Sequence, residues 1–325
     1  MSEQTSSSSS NGASSAQSIV FAGHLGHLTK DQEESFNKFK EVLSSVKLYT
    51  PATGTSPASH DEPTLLRFLR ARSFQPVPAQ KQFADAEAWR RAHDVDRLYA
   101  TFDPGEFEFS KRFYPRWTGH RDKNGIPLYV YHLRSIVPIQ HEIEAVPPKR
   151  RFQRIIALYE LMVRFSFPLC SHLPHPSSPT PISSTTTIID LEGVSLASLW
   201  KLRSHLQEAS ELASINYPET LHTIAVVNSP SFFSTVWGWI KGWFDERTRN
   251  KIFILGKDMG PQLRDIIHAK DLPKGYGGEL DWQYEDAPKL DEDARKVLGE
   301  MPKGPAIFVD GAVTRPLIPS ETEWK

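Results

Sequence analysis

A single cysteine, Cys170, stands among 325 residues. No intramolecular disulfide can form, which fits a reducing compartment. Neither charge is in surplus. With 38 Lys and Arg against 39 Asp and Glu, the formal net charge is −1. Neutralising a phosphate backbone needs a cationic excess over a patch, so the balance argues against a polybasic nucleic-acid binder. No transmembrane run is present. The opening stretch MSEQTSSSSSNGASSAQS has an early acid and no apolar core, unlike a secretory signal. A soluble, cytoplasmic, monomeric protein is the expectation. The familiar catalytic signatures are missing too: GxSxG, HExxH, the phosphate-binding P-loop, GxGxxG and CxxC. Hydrophobic residues at 39% and charged residues at 24% still suffice for a packed core. The length suits about two domains, or one large domain with an appendage.

What the chain does have is an aromatic segment over residues 228–255, NSPSFFSTVWGWIKGWFDERTRNKIFIL. Phe232, Phe233, Val236, Trp237, Ile240, Trp243 and Phe244 recur at three- and four-residue steps, which places them on one helical face. Trp239 adds a second aromatic surface off that stripe. The segment falls short of the roughly 20 apolar residues a bilayer span needs, and Lys241 and Asp245 interrupt it. Arg247, Arg249 and Lys251 follow. Two readings stay open on these residues alone: a core helix against a sheet, or a surface that meets lipid or covers an apolar cavity.

Around this segment the pattern changes along the chain. Residues 1–20 are Ser-rich and expected to be disordered. To about residue 98 the pattern is helical. Phe36, Phe39, Val42, Leu43 and Val46 form one stripe. Asp61 is a predicted N-cap with Pro63 in the first turn. Leu65, Leu66, Phe68 and Leu69 form a buried stripe beside Arg67, Arg70 and Arg72. Arg90 and Arg91 sit at the exposed end of a helix through Phe83, Ala86 and Trp89. From about residue 105, strands at 127–133, 185–191, 223–228 and 251–255 alternate with helices at 151–165 and 195–215. That order predicts a small, largely parallel sheet in an α/β fold. Beyond residue 282 the chain is Pro-rich and charged, and a surface-draped tail is expected.

Few residues offer chemistry. Gly275, Gly277 and Gly278 follow no strand and are expected as turn glycines with positive φ. Cys170, His172 and His175 have a spacing that could hold a metal, but only three ligands are near, and a solvated loop is preferred. Asp190 ends an apolar strand, where a carboxylate can be catalytic but more often anchors a turn. No metal, cofactor or catalytic residue is assigned. The Tyr and Thr hydroxyls of the strands are different. Tyr129, Tyr131, Tyr159, Thr185 and Thr187 would stand in an apolar wall, where hydroxyls need partners. A phosphate or ester oxygen could supply them, as could the protein itself or water. Together these features favour binding over catalysis.

The motifs LLRFLRARSF (65–74), FYPRW with DKNGIPLYV (113–130), TIIDLEG (187–193), NYPET (216–220), VVNSP (226–230), KIFIL (251–255) and LPKGYGG (272–278) resemble the CRAL-TRIO lipid-binding family. The resemblance spans roughly residues 30–282 and is strongest toward fungal phosphatidylinositol/phosphatidylcholine transfer proteins. It implies residues 23–104 as an N-terminal helical tripod. Residues 105–282 would be a lipid-binding domain, in which a mostly parallel five-stranded sheet floors a hydrophobic pocket under a helical gate. Residues 1–22 and 283–325 would flank these as a disordered start and a surface tail. The aromatic segment falls at the gate. The resemblance further implies that Glu219, Lys251, Thr248 and Arg72 contact a phosphoinositol headgroup. Ser73 replaces the Lys that the family carries beside Arg72. For a choline lipid it implies Thr185, Thr187, Tyr129 and Tyr159, with Thr118 where the family has a further Tyr. One missing aromatic face weakens choline recognition, so the second ligand is left as phosphatidylcholine, another lipid or a sterol. The implied activity is lipid exchange between membranes. The implied location is the cytoplasm, peripheral on Golgi and endoplasmic reticulum membranes. A lipid sensor that presents its cargo to a partner without bulk transfer is the rival. A lipid hydrolase is disfavoured by the missing nucleophile elbow.

Overall fold

The computed structural model describes residues 20–243 and 246–318. The expected disorder of residues 1–19 lies outside them. Within 20–22, Phe21 is already buried in a core. The N-terminal unit packs three helices, α1 (Lys30–Ser45), α2 (Glu62–Ala71) and α3 (Pro76–Ala92). Each begins for a local reason. Thr29 and Gln32 form a reciprocal capping box on α1. Asp61 accepts from the Thr64 amide at 2.6 Å, with Pro63 in the first turn of α2. Pro76 opens α3. Phe36, Phe39, Leu43, Leu65, Leu69 and Phe83 close the core between them.

The larger unit is built on a five-stranded sheet in the order β1 (Arg116–Arg121), β2 (Pro127–His132), β3 (Thr185–Asp190), β4 (Leu221–Val227) and β5 (Ile252–Ile254). β1 and β2 form an antiparallel hairpin, and the remaining pairs are parallel. The predicted strands are all present, each shifted by at most two residues at its ends. β1 is an addition, because RWTGHR lacks the β-branched pattern of the others. The register aligns Tyr129, Thr187, Ile224 and Ile252 in one row across the sheet, and Tyr131, Ile189 and Val226 in the next. Side chains alternate along a strand, so these rows share one face. Helix α4 (Pro148–Leu161) passes through a π-turn at Met162–Ser166 into a short helix ending at His172. Helix α5 is Leu196–Asn216, capped by Ser195, whose hydroxyl accepts from the Ser198 amide at 3.1 Å. Helix α6 (Phe233–Ile240) carries the aromatic segment and runs into a 3-10 turn at Lys241–Trp243. No helix among the described residues is long and apolar enough to cross a membrane.

The segment after residue 282 is more than drapery. It forms helix α7 (Glu292–Leu298) and a hairpin of β6 (Ile307–Val309) and β7 (Ala312–Thr314). Leu290, Ala294, Ala306 and Phe308 are buried in a second core with Tyr99, Phe107 and Phe165. Apolar residues are sparse in this stretch, and burying them depends on a groove that the rest of the fold supplies. The tail also runs along β1. The Lys289 and Asp291 amides donate to the Thr118 and Gly119 carbonyls at 2.8 and 3.0 Å. Gly119 permits this approach. Its φ is +91°, and a Cβ there would lie 2.4 Å from the Lys289 carbonyl oxygen. Gly119→Ala is therefore expected to cost about 1–3 kcal/mol. Proteolysis should then cut the tail before the sheet. A variant as protease-resistant and as stable as the unsubstituted chain refutes this.

Candidate binding cavity

A cavity of about 360 Å³ lies over the face of the sheet defined by those two rows. Its floor is Tyr129, Tyr131, Thr185, Thr187, Ile189, Ile224, Val226 and Ile252. Ile155, Leu158 and Tyr159 of α4 with Met162 of the π-turn form one wall, and Leu199, Leu206, Ala209 and Ala213 of α5 another. Phe233, Val236, Trp237, Ile240 and Trp243 cover it. The stripe thus faces the cavity, and the two readings left open for the segment overlap, because its first turn is also part of the core. Phe233 and Val236 are buried, and Phe232 packs against the main core without lining the cavity. Phe244 lies outside the described residues. A Cβ on Gly238 or Gly242 would meet nothing within 4 Å.

One end of the cavity is charged. Glu219, Lys251, Thr248 and Arg72 all line it, as do Thr185, Thr187, Tyr129 and Tyr159. Lys251 Nζ is 3.1 Å from Glu219 Oε2 and donates to the Leu221 carbonyl at 2.8 Å. The Glu219 backbone has φ +58°, a costly conformation for a non-glycine residue and one that gathers at functional sites. Arg72 forms no helix-end salt bridge among the described residues. Arg70 is the α2 arginine that pairs instead, with Glu219. Arg70 reaches the same Glu219 oxygen at 3.1 Å and His24 Nε2 at 2.8 Å. Only its position one turn beyond Leu66, toward the inner side of α2, marked it in the sequence. Burial and the nearby Arg70 push the His24 imidazole down to about 3. Burial, Lys251 and Arg70 push His222 down to about 4. Both imidazoles are neutral at pH 7, so the positive charge that lines this end belongs to Lys251 and Arg72, while Arg70 braces Glu219 from behind without lining the cavity.

A second arginine ties the lid to this end. Arg247, just beyond the lid, donates to the Ser73 hydroxyl at 2.6 Å and to the Arg70 carbonyl. Ser73, at the end of the LLRFLRARSF motif, thus accepts a hydrogen bond from beyond the covering helix.

The hydroxyl groups mostly find partners in the protein. Tyr129 donates to Ser166 Oγ at 3.1 Å, and Tyr159 points at the Ala209 carbonyl at 3.5 Å. Thr185 and Thr187 share a hydrogen bond at 3.2 Å. Tyr159 stacks on Tyr217 with ring centroids 4.9 Å apart. Burial raises both Tyr129 and Tyr159 well above the ordinary phenol range, so each remains a neutral donor. Thr118 does not line the cavity. Its hydroxyl is spent on the Leu128 carbonyl at 3.1 Å. Tyr114, four residues earlier, lines it instead.

Three other candidates resolve structurally. Asp190 anchors a turn, accepting from the Glu192 amide at 2.8 Å and Asn228 Nδ2 at 2.9 Å. The preferred solvated loop around Cys170 is corrected. Cys170 is fully buried in a helix, where desolvation pushes its thiol up to about 12. His172 packs against Phe308 of the tail, and His175 Nδ1 is 3.0 Å from Ser177 Oγ. The helix forms because the apolar residues of FPLCSH meet the second core. Of the three glycines, Gly277 has φ +85°. Gly278 is required by a backbone approach, where a Cβ would be 2.0 Å from the Leu272 carbonyl oxygen. Gly275 has neither constraint.

A sheet-floored apolar cavity with a charged end and a helical cover defines a lipid-binding class of fold. The CRAL/TRIO domain model matches residues 114–278 and the CRAL/TRIO N-terminal domain model residues 35–85. The chain belongs to the CRAL-TRIO family. Among its relatives is the Sec14 cytosolic factor of Schizosaccharomyces pombe, 34% identical over 256 residues that cover 79% of this chain and 85% of the relative. The SEC14 cytosolic factor of Kluyveromyces lactis is 31% identical, covering 79% and 81%. A phosphatidylinositol/phosphatidylcholine transfer protein of Arabidopsis thaliana, SFH9, is 32% identical over 79% of this chain and 42% of its own length. The crystal structure of Sfh5 shares the fold, with a TM-score of 0.59 at 20% identity over 82% of this chain and 93% of that one.

Proposed function

We propose that this protein exchanges phospholipids between membranes and that phosphatidylinositol is one cargo. The observation that carries the reading is a single continuous cavity, apolar along the sheet and cationic at one end, covered by an aromatic helix. Acyl chains lie along the apolar floor, each buried methylene contributing about 0.8 kcal/mol. The lipid phosphate meets Lys251, and Glu219, held in place by Arg70, accepts from inositol hydroxyls. Thr248 and Arg72 complete that end. The smaller hydroxyl set, Thr185, Thr187, Tyr129 and Tyr159, holds the polar part of a second lipid. Its hydrogen bonds within the protein exchange for bonds to an ester or phosphate oxygen. The lid swings out at a membrane, presents Phe233, Trp237 and Ile240 to the interface, and recloses over the new cargo.

Extraction and mass spectrometry of the purified protein should return phosphatidylinositol together with a second lipid. In a vesicle assay, Lys251→Ala should lower phosphatidylinositol transfer roughly tenfold, the effect of one charge-assisted contact, with total lipid loading retained. Unchanged inositol-lipid transfer in that variant refutes the headgroup assignment. Tight cargo binding without movement between donor and acceptor vesicles would establish the sensor instead.

A further inference from the structure

Two tryptophans remain outside that account. Trp200 of α5 and Trp239 of α6 are 54% and 50% exposed. They stand on opposite sides of the cavity mouth, one on the wall and one on the lid. Their rings meet edge to face, with centroids 5.8 Å apart and planes at 77°. Trp239 lies off the main stripe, and both half-exposed tryptophans line the cavity, which places them at its rim. Around the pair are three exposed cations, Lys201, Arg203 and Lys241. Arg203 lies 4.1 Å over the Trp200 ring and donates to the Trp200 carbonyl at 2.8 Å. No Asp or Glu occurs in 195–207 or 228–244.

We propose that Trp200 and Trp239, with Lys201, Arg203 and Lys241, form a platform that docks on an anionic bilayer surface while the lid is still shut. Indole rings settle at the headgroup level, where one edge meets hydrocarbon and the N–H meets water. Cations without acidic neighbours are drawn to a negative leaflet. Docking would lay the mouth of the cavity against the membrane. Pulling the two rings into the interface would replace their mutual contact by contacts to lipid, which frees the lid from the wall. The inference rests on the transfer reading for its purpose but not for its test.

Sedimentation with vesicles tests it, comparing pure phosphatidylcholine with three parts phosphatidylcholine to one part phosphatidylserine. The unsubstituted protein should prefer the anionic vesicles and lose that preference in high salt. Trp200→Ala/Trp239→Ala should bind them about tenfold more weakly. Lys201→Gln/Lys241→Gln, neither of which lines the cavity, should bind about fivefold more weakly for each charge removed and keep its cargo. If the tryptophan variant does not unfold cooperatively, the lysine variant decides. Equal binding to both vesicle types, or lysine and tryptophan variants that sediment as the unsubstituted protein does, overturns the platform. Platform failure with intact phosphatidylinositol transfer leaves the transfer reading standing. Sedimentation as expected with no lipid moved leaves the platform and removes transfer.

Discussion

Glu219→Ala is expected to lower the melting temperature by roughly 6–10 °C and to change which lipid the protein retains. The carboxylate holds two cations on one oxygen, Arg70 and Lys251, each at 3.1 Å. Removing it leaves the Arg70 guanidinium unpaired at the junction of the helical unit and the sheet. Breaking a buried pair by deleting one partner costs about 3–5 kcal/mol. For a chain of this length each kcal/mol is about 2 °C. Two controls separate the causes. Glu219→Gln keeps an acceptor for Arg70 and should recover part of the loss. Glu219→Gly relieves the positive φ but still orphans the cations, so it should fall between alanine and glutamine. The cargo should shift as well. Lys251 without its counter-ion still attracts phosphate, whereas the proposed acceptor for inositol hydroxyls is gone. Extracted lipid should therefore move from phosphatidylinositol toward other anionic phospholipids. A Glu219→Ala protein that melts within a degree of the unsubstituted one and keeps its lipid profile would show the cluster is neither structural nor selective.

That cluster also marks where the sequence could be read and where it could not. Glu219, Lys251 and Arg72 sit in motifs and Thr248 just before one, and all four line the cavity. The sheet was legible because β-branched runs separated by helical periods leave few arrangements. Arg70 was not legible as the ion-pair partner of Glu219. The two are 149 positions apart, and the α2 sequence offers Arg67, Arg70 and Arg72 with no local rule to choose among them. Arg90 was expected at an exposed helix end, yet it points into the junction between the two units. Cys170 was misread for a similar reason. The prolines, serines and histidines around it suggest a loop, and only the hairpin of the tail, more than 130 residues later, shows what buries it. Local chemistry, capping and periodicity are written in neighbouring residues. Pairings that join the two units depend on how finished surfaces meet.

Glu160→Ala is expected to be the most destabilising of these substitutions. Its carboxylate is fully buried and is gripped by Arg90 at 2.7 and 3.2 Å. The Tyr217 hydroxyl donates to it at 2.6 Å, and Arg164 lies 3.7 Å away. Arg90 is on α3, Glu160 on α4, and Tyr217 follows α5, two residues before Glu219. One side chain thus fastens the helical unit to the wall of the cavity and to the loop that carries Glu219. Alanine should cost about 5 kcal/mol, the upper end for a broken buried pair, or roughly 10 °C. Burial opposes ionisation of Glu160, but the charge and hydrogen bonds of Arg90, with Arg164 and Tyr217, hold it below the usual carboxylate range. A carboxylate with a lowered folded-state pKa stabilises fully above its unfolded value, about 4.3 for Glu, and loses that contribution as pH falls through the folded value. The melting temperatures of the Glu160→Gln and unsubstituted proteins should therefore differ most at neutral pH and converge as pH drops below about 4. Curves that stay parallel from pH 7 to pH 3 would mean that Glu160 is not the charged partner of Arg90. Loss of phosphatidylinositol transfer in Glu160→Gln at a temperature where the protein remains folded would show that this junction also positions Glu219.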